Sequence, residues 1–206
     1  IVRRIETTYD LGDLVKRPLL LAMVLSTIER IDPARKVATA DVYEEYLKRW
    51  LEQTRAIDGE VFTDAQKQAF AEQLAVILWR EGVSSCPWER LDREVSAHLG
   101  SVVPVGMPHG AEWLEMRGGA FFVREGDDRY RFAHRSFLEY FFARALVTEL
   151  EKHPGEALAT RPLTREVIAF VGEILVSRRE VAAAPCVRAV QAWLVGGRSR
   201  SGDLDE

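Results

Sequence analysis

The chain has 206 residues, 47% of them hydrophobic, which is enough to bury a core as one compact domain or two small ones. Its 28 basic and 32 acidic residues give a net charge of -4, and its apolar runs are shorter than the roughly 20 residues of a membrane span, so neither nucleic acid nor a membrane is expected as a partner. The two cysteines, Cys86 and Cys186, lack the spacing of metal ligands and are interpreted as reduced thiols of a cytoplasmic protein.

The first part of the chain, residues 1–58, is predicted to be a helical domain. It does not begin with methionine, which suggests that it starts inside a longer protein. Pro18 either lies within a helix that starts upstream of it or sits in the first turn of a helix that continues to Arg30, where its missing amide costs nothing. A second, amphipathic helix is predicted over residues 39–55, with aromatic residues at core spacing. The turn signal Asp58–Gly59 ends this domain.

The middle part, residues 59–150, is predicted to be a winged-helix domain, because three helical segments precede a β-hairpin. Thr63 caps the first of these helices, and Pro87–Trp88 opens the second. The hairpin is predicted from two β-prone runs on either side of a polar turn. The predicted elements are helices over 63–81, 89–99 and 111–116 and strands over 120–123 and 130–133.

A further helix starts where the hairpin ends, beside His134. Ser136 followed by Glu139 fits a capping box, in which both side chains satisfy free amides of the first turn. Free amides and the positive end of a helix dipole bind phosphate readily, although from position alone a packing or hydrogen-bonding role for His134 is the simpler interpretation. Arg135 is interpreted either as a second phosphate contact or as the partner of Glu139. Three aromatic residues of this helix share one apolar stripe and are predicted to be core: Phe137, Tyr140 and Phe141.

The last part, residues 151–206, is predicted to begin a further helical domain and to end in a linker. Residues 163–177 form a strongly apolar helical segment, and Pro185 begins another. The tail from Gly196 is rich in Gly, Ser, Arg and Asp, a composition typical of linkers. The expected fold class is therefore mainly α, with a small β-hairpin.

Two runs of this sequence resemble the NACHT proteins of the STAND nucleotide-switch class. In that family, Phe-x-His-Arg-Ser-Phe-x-Glu-Tyr-Phe-x-Ala ends the winged-helix domain and carries the histidine that senses the β-phosphate of bound ADP. A second run, residues 17–23, resembles the family's proline segment over the adenine. The resemblance implies that His134 contacts the β-phosphate and Pro18 the adenine. The residues that match the first motif are Phe132, His134, Arg135, Ser136, Phe137, Glu139, Tyr140, Phe141 and Ala143.

The resemblance also implies a mechanism. The winged helix clamps ADP against a preceding nucleotide-binding domain, and exchange for ATP releases the clamp, so that the protein forms a homo-oligomer and activates an effector. Bacterial members of this group serve in signalling and in antiphage defence. The 206 residues contain no Gly-x-x-x-x-Gly-Lys-Ser/Thr phosphate loop, so this chain is expected not to be an enzyme and not to hold nucleotide tightly by itself. The full-length protein is expected to bind ADP and ATP and to be an ATPase.

Other functions are considered beside this one. A winged-helix transcription regulator needs a basic recognition helix, but the candidate helix over residues 89–99 has no net positive charge. If the protein were a protein-interaction scaffold, adding nucleotide would leave its stability unchanged. A Ser-His-Glu hydrolase is set aside, because residues crowded at one helix start do not occupy the separate positions that a catalytic triad requires.

Overall fold

The computed structural model describes residues 18–27, 29–30, 37–58, 63–87, 89–90, 93, 121–126, 129–152 and 162–177. This part of the chain is mainly α with one small antiparallel sheet, which confirms the predicted fold class. Within it, no helix is both long enough and apolar enough to cross a membrane. The helices are α1 Pro18–Thr27, α2 Thr39–Asp58, α3 Asp64–Glu81, α4 Arg135–Lys152 and α5 Arg165–Ser177, and the strands are β1 Cys86–Pro87, β2 Phe122–Glu125 and β3 Arg129–Phe132.

Both ends of α3 follow from local chemistry, as the sequence predicts. The Thr63 hydroxyl accepts the amide of Gln66, and the Gln66 side chain accepts the amide of Thr63, which completes a capping box. At the other end, Gly82 has a positive φ of 68°, a left-handed conformation that glycine adopts without a Cβ clash. The turn closes when the amide of Val83 donates to the carbonyl of Leu78.

The sheet has three strands in the order β1-β3-β2, all antiparallel. The predicted hairpin is present, but its strands lie at 122–125 and 129–132, so Arg124 and Glu125 extend β2 where a turn was predicted. Pro87 ends strand β1 and pairs with Arg129, and the described residues that follow it, Glu89, Arg90 and Arg93, are helical, as predicted for the helix over 89–99. Arg129 also donates to the Ser85 hydroxyl at 2.9 Å, which fastens β1 to the hairpin. Most of the helices predicted over 89–99 and 111–116 lies outside the described residues.

Helix α4 is at the centre of the core and packs against both α3 and α5. Phe137, Tyr140 and Phe141 are each at most 1% exposed, so the prediction that they are core is confirmed. Phe121, just before β2, lies edge-on to Phe137 and Phe141, with ring centroids 4.7 and 5.4 Å away. The same core includes residues from each of the three predicted domains.

A partly buried ion cluster joins α2, α3 and α4 around Arg144, whose side chain is 13% exposed. Its guanidinium pairs with Glu44 and, at 2.9 Å, with Glu72. The Tyr140 hydroxyl donates to Glu44 at 2.7 Å, and the Arg144 guanidinium lies over the Tyr140 ring, 5.8 Å from its centroid. Burial opposes the charge of Arg144, but Tyr140, Glu44 and Glu72 outweigh burial, so the pKa of Arg144 lies above its ordinary value.

Tyr140 is expected to make the protein less stable at alkaline pH. Burial raises the pKa of Tyr140 well above its ordinary value of 10.0; Arg144 opposes this rise and Glu44 adds to it. The folded state therefore keeps the phenol proton where the unfolded chain loses it, so the stabilisation is complete below pH 10 and falls as the pH rises further, by up to about 1.4 kcal/mol per pH unit. Melting curves between pH 9 and pH 11 measure this loss. Tyr140→Phe should flatten the decline, and an equal slope in both proteins would contradict the expectation.

Candidate functional site

One open cleft of about 1040 Å³ lies where α1, α2, α4 and α5 meet. Pro18 is the first residue of α1 and lines this cleft, and His134 lines it from the residue before α4. The structure therefore brings together the two residues that the sequence motifs single out. The first turn of α1 is one of the two positions predicted for Pro18, although the helix ends at Thr27 rather than Arg30. The other residues lining the cleft are Leu19, Thr39, Tyr43, Arg135, Ser136, Glu139, Arg165, Glu166, Ala169, Phe170 and Glu173.

His134 itself occupies the N-cap position of α4. Its carbonyl accepts the amide of Phe137, and its Nδ1 accepts the amide of Ser136 at 3.1 Å. The predicted capping box of Ser136 and Glu139 is therefore wrong, because the helix already begins at Arg135 and Ser136 is its second residue. The physical reason is that the imidazole Nδ1 accepts a free amide of the first turn from one position before the helix, the role that a capping hydroxyl plays at other helix starts.

A chain of hydrogen bonds leads from His134 into the core. The Ser136 hydroxyl lies 2.7 Å from Nδ1 of His134, and the Tyr43 hydroxyl donates to the Ser136 hydroxyl, also at 2.7 Å. Tyr43 is on α2, and the sequence predicts it only as a core residue. It is indeed buried, but a buried tyrosine generally keeps a partner for its hydroxyl, and this is the signal that could have indicated a polar role.

Arg135 and Glu139 form an ion pair on the first turn of α4. The Arg135 Nε lies 3.0 Å from a Glu139 carboxylate oxygen. Of the two roles left open for Arg135, the structure shows the pairing with Glu139. The same carboxylate oxygen accepts the Thr164 hydroxyl at 3.5 Å, so Glu139 is oriented towards these partners and does not orient His134 as the acid of a triad would.

The cleft carries charges of both signs. Two arginines, Arg135 and Arg165, face three glutamates, Glu139, Glu166 and Glu173. Glu173 also accepts the amide of Ala40 at 2.7 Å, which ties α5 to the start of α2. Among the described residues that line the cleft the acidic groups outnumber the basic ones, so these side chains by themselves give no net attraction for a diphosphate. In the described part of the chain, no group of three His, Cys, Asp or Glu side chains is placed to hold a metal ion.

Comparison with curated proteins shows a weak similarity. No protein-family model matches this chain. An uncharacterized WD repeat-containing protein of Nostoc sp. (strain PCC 7120) is 24% identical to it over 149 residues. The aligned region covers 72% of this chain but 10% of the relative, so the chain spans about a tenth of the length of the protein it matches. At this identity the similarity does not show a family.

Proposed function

We propose that this chain is the regulatory part of a NACHT-type nucleotide switch, which closes over ADP and controls assembly of the protein. The observation that carries the proposal is the meeting of Pro18 and His134 in one cleft. They come from separate sequence motifs: α1 packs against α2, and Tyr43 of α2 contacts Ser136 and Phe137 of α4. If the two motifs served only packing, Pro18 and His134 would have no need to line the same open cleft.

His134 supplies one donor to an ADP phosphate in this proposal. Its Nδ1 is occupied by the amide of Ser136, which leaves Nε2 as the nitrogen that faces a ligand. Pro18 is exposed at the start of α1 and supplies an apolar surface for the adenine. The cleft volume, about 1040 Å³, is at the upper end of the range for small-molecule sites, so a nucleotide leaves room for a second protein surface. That surface is a nucleotide-binding domain of the same protein.

The remainder of the proposed mechanism is what the resemblance to NACHT proteins implies. The nucleotide-binding domain carries the phosphate loop and the ATPase activity, and exchange of ADP for ATP opens the cleft and permits homo-oligomerisation. The switch then serves signalling in the cytoplasm, with antiphage defence as the setting. The similarity to a tenth of a much longer WD repeat-containing protein supports the chain being one region of a larger protein.

A protein-interaction scaffold is the second candidate, and it is favoured by one observation. Val176 on α5 is 71% exposed, and Ile168 on the same helix is 36% exposed, which leaves apolar surface for a protein contact. A scaffold and a switch differ in their response to nucleotide. Only the switch predicts that ADP stabilises the closed protein.

His134→Ala is expected to weaken ADP binding in the protein that includes the nucleotide-binding domain. A hydrogen bond to a charged phosphate contributes roughly 1.5–3 kcal/mol, so its loss should reduce ADP affinity about ten- to a hundredfold and favour the assembled state. Calorimetric titration with ADP and with ATP gives the two affinities, and light scattering gives the assembly. The ATP affinity should change less than the ADP affinity.

A matched variant separates this effect from helix capping, because alanine also removes the N-cap of α4. His134→Ser retains a capping oxygen but cannot reach a phosphate, so it should keep the melting temperature while still weakening ADP binding. Unchanged ADP affinity in His134→Ser would defeat the assignment of His134 as a phosphate contact. A lower melting temperature in His134→Ala alone would then reflect only the lost cap.

A further inference from the structure

We propose that Tyr43 and Ser136 are positioning residues that hold His134 in the tautomer with its proton on Nε2, so that an N–H group faces the phosphate. This inference rests on the proposed function, since it concerns how the same histidine is prepared for its ligand. It assigns a role to Tyr43, a residue of a different helix that the sequence motif around His134 does not include.

The Ser136 amide fixes the direction of each hydrogen bond in the series that joins Tyr43, Ser136 and His134. The Ser136 amide can only donate, and it lies 3.1 Å from Nδ1 of His134, so Nδ1 is an acceptor without a proton. The Ser136 hydroxyl lies 2.7 Å from the same nitrogen, so it also donates there. Its lone pairs then accept the Tyr43 hydroxyl proton at 2.7 Å. All donors thus point from Tyr43 towards Nδ1, and in the neutral ring the proton is on Nε2.

Tyr43 holds one end of this series of hydrogen bonds in a fixed position. It is 4% exposed, and its ring contacts the rings of Phe137, Tyr140 and Phe170 with centroids 5.7, 5.1 and 5.1 Å away. Packing therefore holds its hydroxyl in place, while His134 at the other end of the chain is exposed. Consecutive hydrogen bonds polarise one another, so each hydroxyl strengthens the next bond towards Nδ1.

The choice of tautomer matters because phosphate oxygens accept hydrogen bonds and, when ionised, do not donate them. Nε2 is on the opposite side of the ring from Nδ1, and among the described residues none bonds it. With the proton on Nε2, His134 presents a donor to the phosphate; with the proton on Nδ1, it would present a lone pair and repel the same oxygen. Since Tyr43 belongs to α2 and His134 precedes α4, packing of these two helices strengthens the preference for the Nε2–H tautomer that the Ser136 amide already sets.

Tyr43→Phe tests the inference directly, because it removes the hydroxyl and keeps the packed ring. Long-range ¹H–¹⁵N NMR of the full 206-residue chain reports which ring nitrogen carries the proton, and His134→Ala identifies the signals of His134 among the four histidines. In the unmodified chain we expect an acceptor signal for Nδ1 and a protonated Nε2. In Tyr43→Phe the Nδ1 signal should move towards that of a free acceptor, and the ratio of the Nδ1–H to the Nε2–H tautomer should rise roughly two- to tenfold.

Tyr46→Phe is the matched control. Tyr46 is also on α2 and its ring contacts Phe137, but its hydroxyl bonds neither Ser136 nor His134. Its removal should leave both ring nitrogens of His134 unchanged. A proton on Nδ1 in the unmodified chain would overturn the inference, as would the same His134 spectrum in Tyr43→Phe and Tyr46→Phe.

The nucleotide affinities distinguish this inference from the proposed function. In the protein with its nucleotide-binding domain, Tyr43→Phe should weaken ADP binding roughly two- to tenfold, less than His134→Ser. If the spectra change as expected but neither variant alters ADP affinity, the positioning role stands and the proposed function is wrong. If His134→Ser weakens ADP binding while Tyr43→Phe changes neither spectrum nor affinity, the proposed function stands and the positioning role is wrong.

Discussion

Phe141→Ala is expected to lower the free energy of unfolding by about 3–5 kcal/mol, the cost of emptying a fully buried aromatic position. Phe141 is 0% exposed, and its ring contacts the rings of Phe121, Phe132 and Tyr140 with centroids 5.4, 5.7 and 5.4 Å away. These partners come from the residue before β2, from β3 and from α4, and α4 itself packs against α3 and α5. A cavity here therefore removes contacts from several elements at once, and a loss of this size is enough to unfold a marginal domain.

Urea denaturation followed by circular dichroism measures this change. Val176→Ala on α5 is the control, since Val176 is 71% exposed and its truncation should cost less than about 0.5 kcal/mol. A loss below about 1 kcal/mol in Phe141→Ala would mean that α4 is not packed as described. If the alanine variant does not fold, Phe141→Leu replaces it. Its loss in the free energy of unfolding should be smaller, because leucine keeps more of the side-chain volume.

Arg144→Met is expected to lower the free energy of unfolding by about 2–4 kcal/mol. The loss is expected even though methionine retains most of the apolar stem. The substitution leaves Glu44 and Glu72 without their cation, and an uncompensated carboxylate in a poorly solvated site is strongly destabilising. The expected loss is below that of a fully buried pair, because Glu44 is 36% exposed and water stabilises part of its charge. The Tyr140 hydroxyl also loses its contact with the guanidinium.

Arg135→Met on the same helix is the matched control for this prediction. Arg135 also forms an ion pair within its helix, but its side chain is 72% exposed, so its removal should cost less than about 1 kcal/mol. A double-mutant cycle adds a second measurement: Glu72→Gln should cost less in the Arg144→Met background than alone. If Arg144→Met and Arg135→Met lowered the free energy of unfolding equally, the Arg144 cluster would add no more stability than an exposed ion pair.

Local signals account for the parts of the fold that the sequence predicts well. The capping box at Thr63 and the glycine at position 82 define α3, because both act through neighbouring amides and carbonyls. The apolar stripe of α4 predicts its core residues, since helical spacing alone places Phe137, Tyr140 and Phe141 on one face. The same reasoning predicts the hairpin but misplaces its strands, because the register depends on pairing with β1 and β3 rather than on the turn residues alone.

The sequence by itself determined the helices, the presence of the hairpin and the choice of Pro18 and His134 as motif residues. Periodicity, caps and turns depend on residues close together along the chain. Only the tertiary structure decided which distant groups meet. It placed the two-residue strand β1 beside β3, gave His134 rather than Ser136 the capping role, and brought the Tyr43 hydroxyl to the Ser136 hydroxyl. It also brought Pro18 and His134 to one cleft. Such contacts depend on how whole helices pack, and helix packing sums many small terms that no local pattern in the sequence records.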